Sequence, residues 1–181
     1  MIVEFALAVL FAAGARAEEP VNNSKSPAQE IAAAVRHTAP KGWKRSAYAN
    51  GADPVVRYSS DSDELVIKLY GGAGSAQADP KDFLSLGETP AKAGSAEVAG
   101  QERDVWSRTF PLEPRDPHGK APQTSLRGAE TFVLLPLKAE RFAVLSWRRS
   151  SPVPDLNRKG EKAWAAFLRS VKASPGKPAK K

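Results

Sequence analysis

Histidine chemistry is limited to two side chains in this sequence, His37 and His118. We place His37 at the end of a helix, where the helix dipole favours a cation, and His118 in an exposed loop beside Asp116. A hydrolytic triad needs one of them close to a serine and a carboxylate, and the chain has no Gly-x-Ser-x-Gly nucleophile turn. We therefore assign no catalytic residue.

A glycine-rich loop, with Gly71, Gly72, Gly74 and Ser75, follows an apolar strand and precedes a short helix. This is the sequence context of a phosphate-binding loop, but the Gly-Lys-Ser/Thr ending that holds phosphate and magnesium is missing, as is the last glycine of a dinucleotide fingerprint. Short connections between the flanking strands also predict hairpins rather than the parallel crossover that frames a nucleotide. The sequence therefore predicts a turn here, and no cofactor.

Three clustered carboxylates, Asp61, Asp63 and Glu64, are of the type that binds calcium. The twelve-residue calcium loop with its central glycine and final glutamate is not present, so a polar hairpin turn is the favoured interpretation. The chain has no cysteine, which excludes thiolate metal sites and disulfides. No metal site is assigned.

Composition predicts one folded domain. The chain has 181 residues, of which 41% are hydrophobic, enough to bury a core without disulfides or metals. We place the domain at residues 26–172. Residues 173–181 are predicted to be a disordered basic tail, which either attracts polyanions or only aids solubility. No aromatic residue interleaves with its lysines, so no specific nucleic-acid binding is expected.

The first 17 residues, "MIVEFALAVLFAAGARA", are typical of a secretory signal peptide, with an apolar run and an Ala-x-Ala cleavage pattern. Their start is unusual because it carries Glu4 and no basic residue, and a buried N-terminal helix is the alternative. Residues 18–25 are predicted to be a flexible segment. We expect a mature protein that begins at Glu18, has no transmembrane span and is periplasmic or secreted.

Helices are predicted at both ends of the domain and near its middle. A capping box at Ser26–Gln29 begins a helix that we extend to His37. Asp79 and Pro80 begin a short central helix. A closing amphipathic helix presents one apolar face to the core, formed by Trp164, Phe167, Leu168 and Val171.

Strands are predicted between these helices from alternating and continuous apolar runs. Residues 55–58 and 65–70 alternate and indicate a hairpin with one wet face. The runs "ETFVLLPL" and "RFAVLSWRR" are apolar at nearly every position and indicate central strands that are covered on both faces. The predicted fold class is α+β, a mainly antiparallel sheet of about six strands with N- and C-terminal helices packed on it.

The order of elements resembles the PsbP-like α/β/α sandwich. The resemblance rests on "PKGW" before a hairpin, the "KDFL" helix, the strand after Gly100, the two central strands and the closing "AWAAFLRSV", and it covers roughly Pro40 to Lys172. Members of that superfamily are mostly non-enzymatic accessory or binding proteins. The resemblance implies a partner-binding role and supplies no functional residue.

Partner binding is predicted at Trp106 with Arg103 and Arg108, because tryptophan and arginine are enriched at interface hot spots. The expected partner is an acidic envelope protein or a polyanionic glycan. Trp147 also has arginines beside it in the sequence, but its apolar strand favours a place in the core. A non-enzymatic binding or accessory module of the cell envelope is thus favoured over a small hydrolase or other envelope enzyme. A histidine beside a serine and a carboxylate in a cleft would favour the enzyme.

Overall fold

The computed structural model describes residues 25–111, 127–150 and 158–173. The predicted signal peptide, the segment 18–24, His118 and residues 174–181 lie outside these ranges. The helices are α1 (Pro27–Ala34), α2 (Pro80–Leu84) and α3 (Lys159–Ser170). The strands are β1 (Val35–Arg36), β2 (Lys44–Asn50), β3 (Asp53–Ser60), β4 (Asp63–Tyr70), β5 (Ala91–Val98), β6 (Gln101–Pro111), β7 (Arg127–Pro136), β8 (Phe142–Arg149) and β9 (Lys172–Ala173).

Seven strands form the main sheet in the order β2-β3-β4-β8-β7-β6-β5, and every neighbouring pair is antiparallel. The predicted antiparallel sheet is confirmed. The predicted count of about six strands is wrong, and the fold is predominantly β. The strand missed from the sequence is β5, "AKAGSAEV", whose small and polar residues have low strand propensity. It forms an exposed edge, where pairing with β6 rather than side-chain packing decides its conformation.

The first helix is shorter than predicted. A capping box is present at Ser26 and Gln29, as the sequence indicated, but α1 ends at Ala34. Val35 is extended because it pairs with Ala173 in a small antiparallel sheet of β1 and β9. Ala173, the first residue of the predicted tail, therefore belongs to this small sheet.

Two apolar clusters cover opposite faces of the main sheet. On the first face, here called face A, α1 and α3 pack through Ile31, Trp164 and Phe167 on the inner strands. On the second, here called face B, Phe83 of α2 packs with aromatic residues of β4, β7 and β8. Within the described residues, no helix is long and apolar enough to cross a membrane.

The closing helix packs through the apolar face that the sequence indicated. Trp164, Phe167 and Leu168 are buried in α3, and Val171 is buried directly after it. Its first turn lies against β4, so closely that a Cβ at Gly160 would be 2.6 Å from the Asp63 carboxylate. Glycine therefore allows the start of α3 to contact the sheet.

Candidate functional site

The glycine-rich loop closes on a carboxylate of the same chain. Asp53 is 2% exposed and accepts hydrogen bonds from the Ser75 hydroxyl at 2.6 Å and the Ala76 amide at 3.0 Å. The Gly71 amide donates to Gln77 O. The amides of Gly71, Ser75 and Ala76 are thus bonded to acceptors in the loop or on β3, and the segment forms a turn between β4 and α2.

The carboxylates at the β3–β4 turn do not converge. Asp63 lies on face A, where it accepts a hydrogen bond from Trp147 Nε1 at 2.9 Å and pairs with Arg149. Glu64 lies on face B and pairs with Arg57. Among the described residues there is no group of three or more metal-binding side chains.

His37 is half-buried and both of its ring nitrogens have a hydrogen-bond partner. Its Nδ1 lies 3.2 Å from Val35 O and its Nε2 2.7 Å from the Tyr58 hydroxyl, while its ring packs edge-on against Phe167. Burial lowers the pKa of His37, and the nearby Arg45 lowers it further, although the bond to Val35 opposes this. The expectation of a cationic histidine at a helix end is wrong, because the chain leaves the helix at Val35.

The structure predicts that acid destabilises the protein through His37. Because its folded pKa lies below the ordinary value of 6.5, the unfolded chain binds a proton that the folded chain does not as pH falls through that value. The free energy of unfolding should therefore fall between pH 7 and 5.5, by at most about 1.4 kcal/mol per pH unit for one proton. Urea unfolding at several pH values should show that the free energy of unfolding of His37→Gln falls less steeply with decreasing pH than that of the wild type. Equal slopes in wild type and His37→Gln would contradict this assignment.

The three residues predicted to bind a partner do not lie together. Trp106 and Arg108 are on face B, where Trp106 is half-buried against the aromatic cluster. Arg103 lies on face A, because an odd spacing along β6 places side chains on opposite faces of a sheet. The structure therefore brings Trp106 and Arg108 together on one face and places Arg103 on the other.

Face B brings Arg108 into a larger group of charges, here called the charged patch. Its members are Arg57, Glu64, Lys68, Arg108, Glu130 and Arg148. Across the sheet, Glu64 is opposite Arg148, Arg148 is opposite Glu130, and Glu130 is opposite Arg108. The strand register thus sets charges of alternating sign side by side on four strands.

The least exposed ion pair of the charged patch joins Arg108 and Glu130. Arg108 Nε is 2.8 Å from Glu130 Oε2, and the two side chains are 13% and 10% exposed. The guanidinium also stacks over the rings of Phe83 and Phe132 at 4.7 and 5.0 Å and donates to Leu86 O. Arg108 therefore links β6 to α2 and to the loop after it, and its charge is largely compensated.

Lys68 lacks such compensation. It is half-buried on β4, and within the described residues its ammonium makes no hydrogen bond or ion pair. Burial lowers the pKa of Lys68, and the charges of Arg148, Arg108 and Arg57 lower it further, while Glu130 alone acts in the opposite direction. An opposite charge brought close to this ammonium would therefore be favourable.

Tyr70, two residues further along β4, is not suited to proton transfer near neutral pH. Burial, reinforced by the negative charges of Asp53 and Glu130, raises the pKa of Tyr70 to about 12. Efficient acid–base catalysis needs a group that titrates near the working pH. Tyr70 instead stacks on Phe142 and Phe83 as part of the apolar support under the charged patch.

A groove of about 410 Å³ runs beside the charged patch. Arg108, Glu130 and Arg148 form one wall, and the loop after α2, with Leu86, forms the other. Arg148 stacks over Phe110 at 4.4 Å, and Phe110 covers Gly128, where a Cβ would collide with the ring. Arginine and aromatic side chains thus line an open groove, and both residue types are enriched at protein interfaces.

Sequence reasoning found Arg108 and missed Lys68, Glu130 and Arg57. One signal was available, since Lys68 interrupts the apolar run "LVIKLY". A lysine at such a position has to reach solvent or a partner, because an ammonium is costly to bury alone. Glu130 carried no comparable signal, as its pairing depends on the register of β6, β7 and β8.

No protein-family model matches the chain. No curated protein matches it significantly either.

Proposed function

We propose that this protein is an exported, non-enzymatic binding module of the cell envelope that docks an acidic protein partner on face B. The observation that carries the proposal is the composition of the charged patch. Among the residues that the structure describes, four cationic side chains, Arg57, Lys68, Arg108 and Arg148, share only two carboxylates, Glu64 and Glu130. The uncompensated positive charge favours association with a negatively charged surface.

An acidic protein suits the charged patch better than a polyanionic glycan. A glycan of uniform negative charge favours a continuous basic stripe, whereas Glu64 and Glu130 interrupt the cations here. These carboxylates would repel a uniform polyanion, whereas a protein surface can present neutral or basic groups to them. Exposed or half-buried aromatic side chains nearby, Tyr48 and Trp106, are also typical of protein interfaces.

Binding is favoured over catalysis by the state of the titratable groups. His37 bonds to a backbone carbonyl and a phenol, and neither is the serine or carboxylate that a hydrolytic triad uses. The raised pKa of Tyr70 removes it as an acid–base group near neutral pH. The resemblance to PsbP-like proteins also supports an accessory role, and the leader at residues 1–17 supports export to the periplasm or beyond.

Photo-crosslinking on strand β2 tests the proposal. Tyr48 is exposed on face B and accepts a hydrogen bond from Arg57, whereas its neighbour Ala49 is exposed on face A. Benzoylphenylalanine at position 48 should capture a discrete envelope protein in living cells, and the same group at position 49 should capture it at least tenfold less. Arg148→Glu and added salt should both reduce capture, because the docking is electrostatic.

Two outcomes would overturn the proposal. Equal capture from positions 48 and 49 would remove the role of face B. Absence of protein capture, together with retention on an immobilised sulfated glycan that Arg148→Glu abolishes, would show the polyanionic glycan to be the partner instead.

A further inference from the structure

Lys68 occupies an unusual position within the charged patch. It lies on β4, near the middle of the seven-stranded sheet, and its neighbours in the same row of face B are apolar, Val55 on β3 and Val144 on β8. A lysine set among apolar residues in the middle of a sheet loses solvation, and packing gives its charge nothing in return. A contribution to the stability of the fold therefore does not explain why a lysine occupies this position.

The cations near Lys68 reinforce this conclusion. Arg57 lies diagonally across from Lys68 on β3, since Val55 is opposite Lys68 and Arg57 follows two residues later on the same face. The terminal nitrogens of Arg57 face Tyr48 and Glu64, and its buried Nε has no hydrogen-bond partner in the described part of the chain. Buried Arg148 Nε likewise has none, and Glu130 Oε1 is 3.8 Å from it. The carboxylates of the charged patch therefore leave part of its hydrogen-bonding capacity unused.

Lys68 differs in this respect from Lys92, another lysine on the same face. Lys92 on β5 is 2.8 Å from the Asp104 carboxylate and is 58% exposed, so both a partner and water stabilise its charge. Lys68 has no such partner among the described residues, and it is only partly in contact with water. Lys92 is therefore a matched control for Lys68, with the same side chain on the same face.

We propose that Lys68 binds a carboxylate of the docked partner, with Arg57 as the second cation of the site. This inference rests on the proposed function and names the chemical group that the charged patch recognises. The ammonium donates to a carboxylate oxygen, and Arg57 stabilises the negative charge from the adjacent strand. Arg148 adds positive charge from β8, the strand on the other side of Lys68, and Glu130, which is fixed by Arg108, stays in its present ion pair.

Glutarate, which carries the carboxylate of a glutamate side chain, is the probe for this site. The melting temperature of the wild type should rise by about 4 °C between zero and 50 mM glutarate at constant ionic strength, as expected for millimolar affinity. Lys68→Met should lose this rise, and Lys92→Met should keep it. Phosphate at the same concentration should stabilise less than glutarate. A larger effect of phosphate would make the ligand a phosphorylated or sulfated group and overturn the carboxylate assignment.

A measurement on the unaltered protein covers the case in which Lys68→Met fails to fold. The pKa of each lysine can be followed by NMR, and glutarate should raise that of Lys68 while leaving that of Lys92 unchanged. An unchanged Lys68 pKa, or an equal rise in melting temperature in Lys68→Met and wild type, would refute the site. Crosslinking from position 48 without a glutarate effect would refute the Lys68 site alone, and a glutarate effect without crosslinking would refute only the protein partner.

Discussion

Glu130→Leu should lower the free energy of unfolding by about 3 kcal/mol, because it leaves the weakly exposed Arg108 without its counter-charge. The value lies at the low end of the range for breaking a buried ion pair, since both side chains retain about a tenth of their area in contact with solvent. Urea unfolding, followed by tryptophan fluorescence, measures the change. The loss should exceed that of any other single charge removal in the charged patch.

Two further variants test whether the unpaired charge of Arg108 causes the loss of stability in Glu130→Leu. Glu64→Leu breaks a more exposed pair with Arg57, whose side chains are 30% and 38% exposed, and should cost less than about 1 kcal/mol. The double variant Glu130→Leu/Arg108→Met removes both charges and should recover most of the stability lost in Glu130→Leu. If the double variant is no more stable than the single one, the unpaired guanidinium is not the cause of the loss.

Phe132→Ala should have an effect of about 4 kcal/mol, the largest expected from a single core substitution on face B. Phe132 is completely buried, meets Phe83 edge-on at 5.3 Å and supports the Arg108 guanidinium. Its removal leaves a cavity between α2 and the sheet, and the rigid β7 backbone prevents the cavity from closing. Equilibrium unfolding in urea measures this change also.

Phe110→Ala provides the comparison for Phe132→Ala. Phe110 is half-buried, lies on the same face and also supports an arginine, Arg148. Because it is already partly in contact with water, its truncation should cost less than half as much. Equal losses in the two variants would contradict the view that α2 and Phe132 form the core of face B.

The sequence by itself determined which two strands are apolar throughout and where two of the helices begin. Capping residues Ser26 and Asp79 were readable because a cap is a local interaction within one turn. The two central strands were readable because a strand covered on both faces is apolar at nearly every position. The antiparallel sheet followed from the short connections between strands.

Tertiary structure alone decided the composition of the candidate site. The alternation along β6 already separated Arg103 from Trp106, yet nothing local in the sequence paired Arg108 with Glu130, which follows it by 22 residues. That pairing, and the proximity of Lys68 to three arginines, depends on the register and order of β3, β4, β8, β7 and β6. Strand order is set by the packing of the whole sheet, so charges that are distant along the chain become neighbours only when the sheet has formed.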